Sequence, residues 1–237
     1  MNEARDQLIS VVMPAYNCEQ YLGEAIESVL SQNYPLIHLI IADDGSTDRT
    51  ADVAQSFGEQ VEYLCQAHAG VGAALNLGLR SMRGSLLAFL DADDAWTTGK
   101  LARQVAVLNE NPGVDMVFGQ MEKVYGGVLG DALGENPREE NVIPGIGRDT
   151  LLIRTDSFNR IGQFESHYVL GEFIEWYARA MEIGLTSVVL PEVLVRRRIH
   201  GANTVLRQKK SEIDYVHVLK KSLDRRRKRL PGGNSPA

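Results

Sequence analysis

Cysteine is nearly missing from this sequence: Cys18 and Cys65 are the only two in 237 residues. Neither stands in a Cys-x-x-Cys, so the chain shows no zinc motif and no disulfide framework, and a reducing cytoplasmic setting is expected. Long apolar runs are also lacking. None approaches the roughly 20 residues of a membrane-spanning helix. The opening MNEARDQLISVV mixes acids into its charged part, and its apolar run is too short for a secretory leader. No internal repeat is visible and nothing marks off a separate second domain. What is present, 44% hydrophobic and 24% charged residues, is the composition of a soluble globular chain able to bury a sizeable core.

The charge is unevenly spread. The net value is −6, but Arg196 to Ala237 hold 13 Lys/Arg against 3 Asp/Glu, a balance of +10 that leaves −16 on the rest. Such an end fits either an anionic partner, such as a peripheral anionic membrane surface, or a docked helix with a solvated basic face. RRRKR at 225–229 has no interleaved aromatics, which argues against nucleic acid as a partner.

Hydrophobic patterning alternates between strand and helix. LISVVMP (8–14) reads as a buried strand stopped by Pro14, and Asn17 with Gln20 has capping-box spacing for the next helix. LIHLIIA (36–42) gives a second buried strand, which completes a βαβ unit. A helix over 48–57, a strand over 61–65, a helix over 72–82, a strand over 85–91, a helix over 100–110 and a strand over 114–120 follow. This predicts a doubly wound α/β half over 1–120. Residues 121–208 read as a second half of the same domain, opening with a hairpin-like strand at 121–125 and a glycine-rich segment of little periodicity. It continues with a strand-to-helix passage opening in DTLLIRTDSFNRIGQF (149–164), a helix over 171–184 and two strands split at Pro191, and 209–237 form a basic helix with a tail.

Acids gather at two predicted strand ends. IIADDGSTD places Asp43 and Asp44 after the second strand, with Ser46 or Thr47 available to cap the next helix. LLAFLDADD places Asp91, Asp93 and Asp94 after the fourth. Open α/β sheets bind ligands at these carboxyl ends. Packed carboxylates repel one another unless a cation sits among them, and oxygen ligands suit Mg2+ or Mn2+, which can carry substrate phosphates.

VVMPAYNCEQYLGEAIESVLSQNYP with LIIADDGSTDRT resembles the opening of the family 2 glycosyltransferases, which have the GT-A fold. AGVGAALNLGLRSMRGSLLAFLDADDAW is similar to that family's run from the helix start to its DxD strand, and LPEVLVRRRIHGANT to a downstream strand. The resemblance spans about 200 residues in the family's order. It implies inverting sugar transfer from a nucleoside-diphosphate sugar, most simply a UDP-sugar, to a glycan, lipid-linked or protein acceptor. Under it, Pro14, Ala15 and Tyr16 line the base pocket and Asp44 binds the base. Asp93 is the metal ligand, Asp91 or Asp94 holds ribose or a metal-bound water, with Asp91 also counted toward the metal, and His200 reaches the metal or diphosphate. Arg196 and Arg198, alternating onto one strand face, would neutralise the leaving diphosphate.

Two departures from the family pattern stand out. The family's Asp after the Glu of the GEFIEW helix is replaced by Phe173, which leaves Glu172 and Glu175 as candidate bases at i, i+3. Glu175 is the first choice because it lies one turn inside the helix beside Trp176; with neither active, the chain would be an impaired nucleotide-sugar binder. Leu75 replaces an Arg found in many relatives. The main rival, an NAD-dependent oxidoreductase, is weakened because GVGAAL (70–75) lacks a third glycine and does not follow the first strand.

Overall fold

The apolar runs become β1 (Ile9–Ala15), β2 (Ile37–Asp43), β3 (Val61–Cys65) and β4 (Leu86–Phe89). They are seen in a computed structural model that describes residues 7–125, 139–168, 171–201, 220–222 and 225. All four pair in parallel in the order β3-β2-β1-β4. Side chains alternate across the strands, and both faces are buried. Ile9, Val11, Met13, Leu39, Ile41, Leu86 and Ala88 enter one core, and Val12, Ile40, Leu87 and Phe89 the other. That is why these runs read as continuously apolar.

The helices are α1 (Leu22–Leu30), α2 (Thr50–Gln55), α3 (Val71–Leu79), α4 (Lys100–Glu110), α5 (Thr155–Ile161) and α6 (Glu172–Glu182). Helices α1, α2 and α4 cover the first face, and α3, α5 and α6 the second. Helix α3 lies so close to the sheet that a Cβ on Gly78 would come within 2.5 Å of Val12 Cγ1. The sheet continues through β5 (Ala95–Trp96), β6 (Met116–Tyr125), β7 (Val142–Ile143), β8 (Leu152–Arg154) and β9 (Ser187–Ile199). Its order is β3-β2-β1-β4-β8-β6-β9-β5, with β7 on β6. Strands β8, β7 and β5 run against the other six. The chain winds from β1 to β2 on one face and reaches β4 on the other side of β1, so the sheet has its switch point at β1 and β4.

Several local expectations change. Pro14 does not stop β1; it pairs with Ala42 inside the parallel ladder. Asn17 does not cap α1, which starts at Leu22 with no side-chain cap. Its φ is 48°, and its Oδ1 accepts from Thr47 N–H at 2.8 Å. Ser46 Oγ accepts from Asn17 N–H at 2.9 Å instead of capping α2, and Asp48 Oδ1 accepts from Thr50 N–H at 3.0 Å. These residues bond across two loops because the loops after β1 and β2 lie side by side. The strands expected at 114–120 and 121–125 are one, β6 (Met116–Tyr125), and Pro191 does not split β9. The β6–β9 register shifts between Phe118 and Met121, an irregularity of the kind that accommodates a residue without an N–H donor. Of the basic helix expected over 209–230, residues 220–222 and 225 are helical; the rest lies outside the described residues.

Candidate active site

Strand β4 ends at Phe89, and the chain then turns through Asp91 and Asp93 into β5. The triad Asp91, Asp93 and Asp94 presents carboxylate oxygens all within 4.8 Å of one another. Strand β5 pairs antiparallel with β9, Ala95 opposite Arg196. That register carries the end of β9 past the triad. Arg198 N–H donates to Asp94 Oδ1 at 2.9 Å, Arg198 Nε donates to the Asp93 carbonyl at 3.1 Å, and His200 Nε2 lies 3.0 Å from Asp93 Oδ2. Helix α1 supports this corner from beneath: Glu24 pairs with Arg198, and the Tyr21 ring lies 4.6 Å from the Arg198 guanidinium and 4.7 Å from the His200 ring.

The triad is electrostatically loaded. Burial, then the charge of Asp91, raises the Asp93 carboxyl above its ordinary range, and burial with Asp93 raises Asp94 well above it. A divalent cation among these oxygens would offset that repulsion, and hard oxygen donors with one imidazole suit Mn2+ or Mg2+. The residues present therefore fit such an ion.

A second set of residues reaches the triad from an unforeseen direction. A single helical turn at Arg148–Thr150 precedes β8, and β8 pairs with β4. Arg148, 8% exposed, forms ion pairs with both Asp91 and Glu172. Asp149 Oδ1 accepts from Asp91 N–H at 3.0 Å. Burial and the nearby Asp91 push the Asp149 carboxyl up to about 7. No reading of the sequence singled out Arg148 or Asp149. Arg148 closes the glycine-rich segment where no periodicity announces an element, Asp149 opens the strand-to-helix stretch after it, and the Arg-Asp pair before the apolar LLI was the only available hint.

The loops after β1 and β2 form the other side of the site. Tyr16, 47% exposed, stacks on His68 with ring centroids 4.3 Å apart. It follows Pro14 and Ala15, and the Ala15 carbonyl accepts from Asp44 N–H at 2.8 Å. Asp44 is buried and its oxygens are engaged. Oδ1 accepts from Gln66 Nε2 at 2.7 Å and Ala69 N–H at 2.9 Å, Oδ2 from Gly70 N–H at 2.7 Å, and His68 Nδ1 lies 2.8 Å from Oδ2. Asp43 accepts from Tyr63 Oη at 2.6 Å and Ser46 N–H at 2.8 Å. The two glycines of GVG differ: Gly70 takes φ 93° at the start of α3, and Gly72 serves packing, since a Cβ on it would sit 2.8 Å from the Glu165 carbonyl oxygen.

The remaining candidates divide. Arg196 and Arg198 are both buried, but Arg196 pairs with Glu122 at 3.0 Å, its register partner on β6, away from the triad. Glu172 and Glu175 share α6 and diverge. Glu172 joins the triad through Arg148. Glu175 is fully buried, with its oxygens held by Arg179 Nε at 2.9 Å and Arg225 Nη1 at 2.7 Å.

Residues 10–169 match the family described as glycosyl transferase family 2. An uncharacterised glycosyltransferase of Rickettsia prowazekii is 30% identical over 211 residues, covering 83% of this chain and 65% of the relative. Glycosyltransferase AglE of Haloferax volcanii is 29% identical over 202 residues, covering 78% of this chain and 65% of the relative. The chain thus spans just under two thirds of the length of these relatives. Among solved structures, S. aureus TarS 1–349 in complex with UDP-GlcNAc aligns with TM-score 0.71 at 18% identity, over 91% of this chain and 65% of that one. Mannosyltransferase PcManGT from Pyrobaculum calidifontis in complex with GDP-Man and Mn2+ aligns with TM-score 0.67 at 16% identity, over 97% and 66%.

Proposed function

This chain belongs to glycosyltransferase family 2 and has the GT-A fold, and from that premise we propose an inverting hexosyl transfer from a nucleoside-diphosphate sugar, with UDP-sugars first, to a hydroxyl acceptor. The observation that carries this reading is the triad at the end of β4 with His200 brought to Asp93 by β9. Solved relatives of this fold hold UDP-GlcNAc in one case and GDP-Man with Mn2+ in another, which supports a nucleotide-sugar donor here.

Under the proposal the Tyr16 ring, with Pro14 and Ala15, receives the base. Asp44 serves that pocket by fixing the 66–70 loop through the amides of Ala69 and Gly70. Asp93, Asp91 and His200 hold the cation, and Asp91 also faces the ribose. Arg198 lies beside the triad to balance the diphosphate, with Arg196 one pair further along the strand. When bound, Mn2+ or Mg2+ supplies Lewis-acid stabilisation of the departing anion.

Glu172 is favoured as the base because it is the acid of α6 that borders the triad, through Arg148. It takes the proton of the acceptor hydroxyl as that oxygen bonds to the anomeric carbon. The bond from that carbon to the diphosphate oxygen breaks with its electron pair, and the diphosphate leaves toward Arg198 and His200. The acceptor, a glycan, a lipid-linked sugar or a protein, would meet the 121–148 segment and the C-terminal basic segment. A cytoplasmic location fits a nucleotide-sugar donor.

Hydrolysis of a panel of UDP-, GDP- and dTDP-sugars with and without Mn2+ tests the reading. Metal-dependent release of one nucleotide, lost in Asp93→Ala, supports it. Binding of a donor with no turnover on any acceptor would leave a nucleotide-sugar-binding protein, and binding of NAD in place of every nucleotide sugar would reject the reading.

A further inference from the structure

Arg148 occupies an unusual position for a buried cation. Its two Nη atoms go to carboxylates on different elements: Asp91 at the end of β4 and Glu172 at the start of α6. Among the described residues its Nε is buried without a hydrogen-bond partner. Leaving a buried donor unpaired costs free energy, so this orientation persists because the two charged contacts outweigh it. Asp149, next in the chain, grips the backbone of Asp91 as well. One helical turn therefore holds Asp91 by both side chain and main chain.

A guanidinium and a divalent cation compete for the same carboxylate oxygens. Asp91 is part of the triad and is already paired with Arg148. We propose that Arg148 is a positioning residue that competes with the cation for Asp91 and, through its shared fork, couples cation binding to the placement of Glu172. When the cation takes Asp91, the guanidinium is left to Glu172. When Glu172 loses its charge, Arg148 turns wholly to Asp91 and opposes the cation more strongly. This rests on the proposed use of the triad for a cation, and it assigns to Arg148 a role that ordinary structural support would not produce.

The test uses Mn2+ alone on the full chain, read by electron paramagnetic resonance of the unbound ion, so it needs no donor or acceptor. Arg148→Met should tighten Mn2+ binding by about fivefold or more, the scale of a modest coupling between sites. Glu172→Gln should weaken it by about twofold or more, and that weakening should vanish when combined with Arg148→Met. A supporting residue would behave in the opposite way, with its loss loosening the triad and weakening Mn2+. Should Arg148→Met fail to fold, Arg148→Gln, which removes the competing charge but keeps a polar head for the buried carboxylates, takes its place in both legs. Mn2+ affinity equal to or below wild type in the folded Arg148 variant overturns the proposal. So does a Glu172→Gln effect that persists at full size in that background. Because no nucleotide sugar is involved, failure of the glycosyltransfer reading would show separately, in the donor panel.

Discussion

Two glutamates three positions apart on α6 have different surroundings, and this separates their expected roles. At saturating Mn2+, Glu172→Gln should lower turnover by about 10²-fold or more with donor affinity nearly unchanged, as removal of a general base does. Glu175→Gln should act chiefly on stability, because its carboxylate is enclosed by Arg179 and Arg225. Steady-state kinetics beside thermal denaturation checks both, and the reverse pattern would move the base to Glu175. Lys100 offers a second residue-scale test. It is fully buried, donates to Gln104 Oε1 at 2.8 Å and lies 4.1 Å from the Trp96 ring centroid, and burial lowers its pKa to about 7. Unfolded, it titrates near about 10.4. Between these values the unfolded chain holds a proton that the folded one lacks, so Lys100 makes stability rise with pH, by at most about 1.4 kcal/mol per unit. The Lys100→Met variant should therefore gain on wild type at pH 7.5 and lose that gain toward pH 9.5, as read from denaturant midpoints. Asp149, raised to about 7, changes charge mostly below that window.

At the scale of elements, α6 links the site to the C-terminal segment. Its N-terminal turn carries Glu172, and further along Glu175 and Glu182 receive Arg225, with Nη1 to Glu175 and Nε to Glu182 both at 2.7 Å. Ser222 Oγ adds a bond to Glu182 at 2.9 Å. Both acids are nearly inaccessible, while the Arg225 side chain is about a quarter exposed. Removing one partner of such a cluster leaves buried charge uncompensated. Arg225→Met should cost about 2–3 kcal/mol of stability, below the range for fully buried pairs because of that exposure. Urea denaturation measures it, and a loss under about 0.5 kcal/mol, the scale of an ordinary surface change, would show that the cluster contributes little.

For the whole molecule, the acidic body and the basic end partly satisfy each other. Lys221 Nζ meets Glu165 at 2.7 Å, and Arg225 is taken up by α6. Among the described residues no helix is long and apolar enough to cross a membrane. Lys220 is exposed, Lys209, Lys210 and Arg226 to Arg229 lie outside the described residues, and the charge of these is what remains for an anionic surface. Each basic residue near such a surface is worth about 1 kcal/mol, so co-sedimentation with anionic vesicles should be weak at low salt and lost at high salt. Lys221→Gln should leave it unchanged, whereas neutralising Arg226 to Arg229 should abolish it. Binding that survives high salt would require an apolar contact instead.

The sequence by itself determined the strand–helix alternation of the first 120 residues, because buried parallel strands and amphipathic helices leave strong local periodicities. It also placed acids at the ends of β2 and β4. Only the tertiary structure decided what those acids meet. His200 reaches Asp93 across 107 positions because β5 pairs with β9 in one particular register. Arg148 reaches Asp91 and Glu172 because β8 inserts beside β4; the apolar run at 151–153 announces a strand but not its partner. Helical spacing left Glu172 and Glu175 both as candidates with Glu175 preferred; in the fold Glu172 borders the triad through Arg148, and Glu175 meets Arg179 and Arg225. Local pattern reports which face is apolar, but the partner of a buried charge is set by which elements the fold brings together.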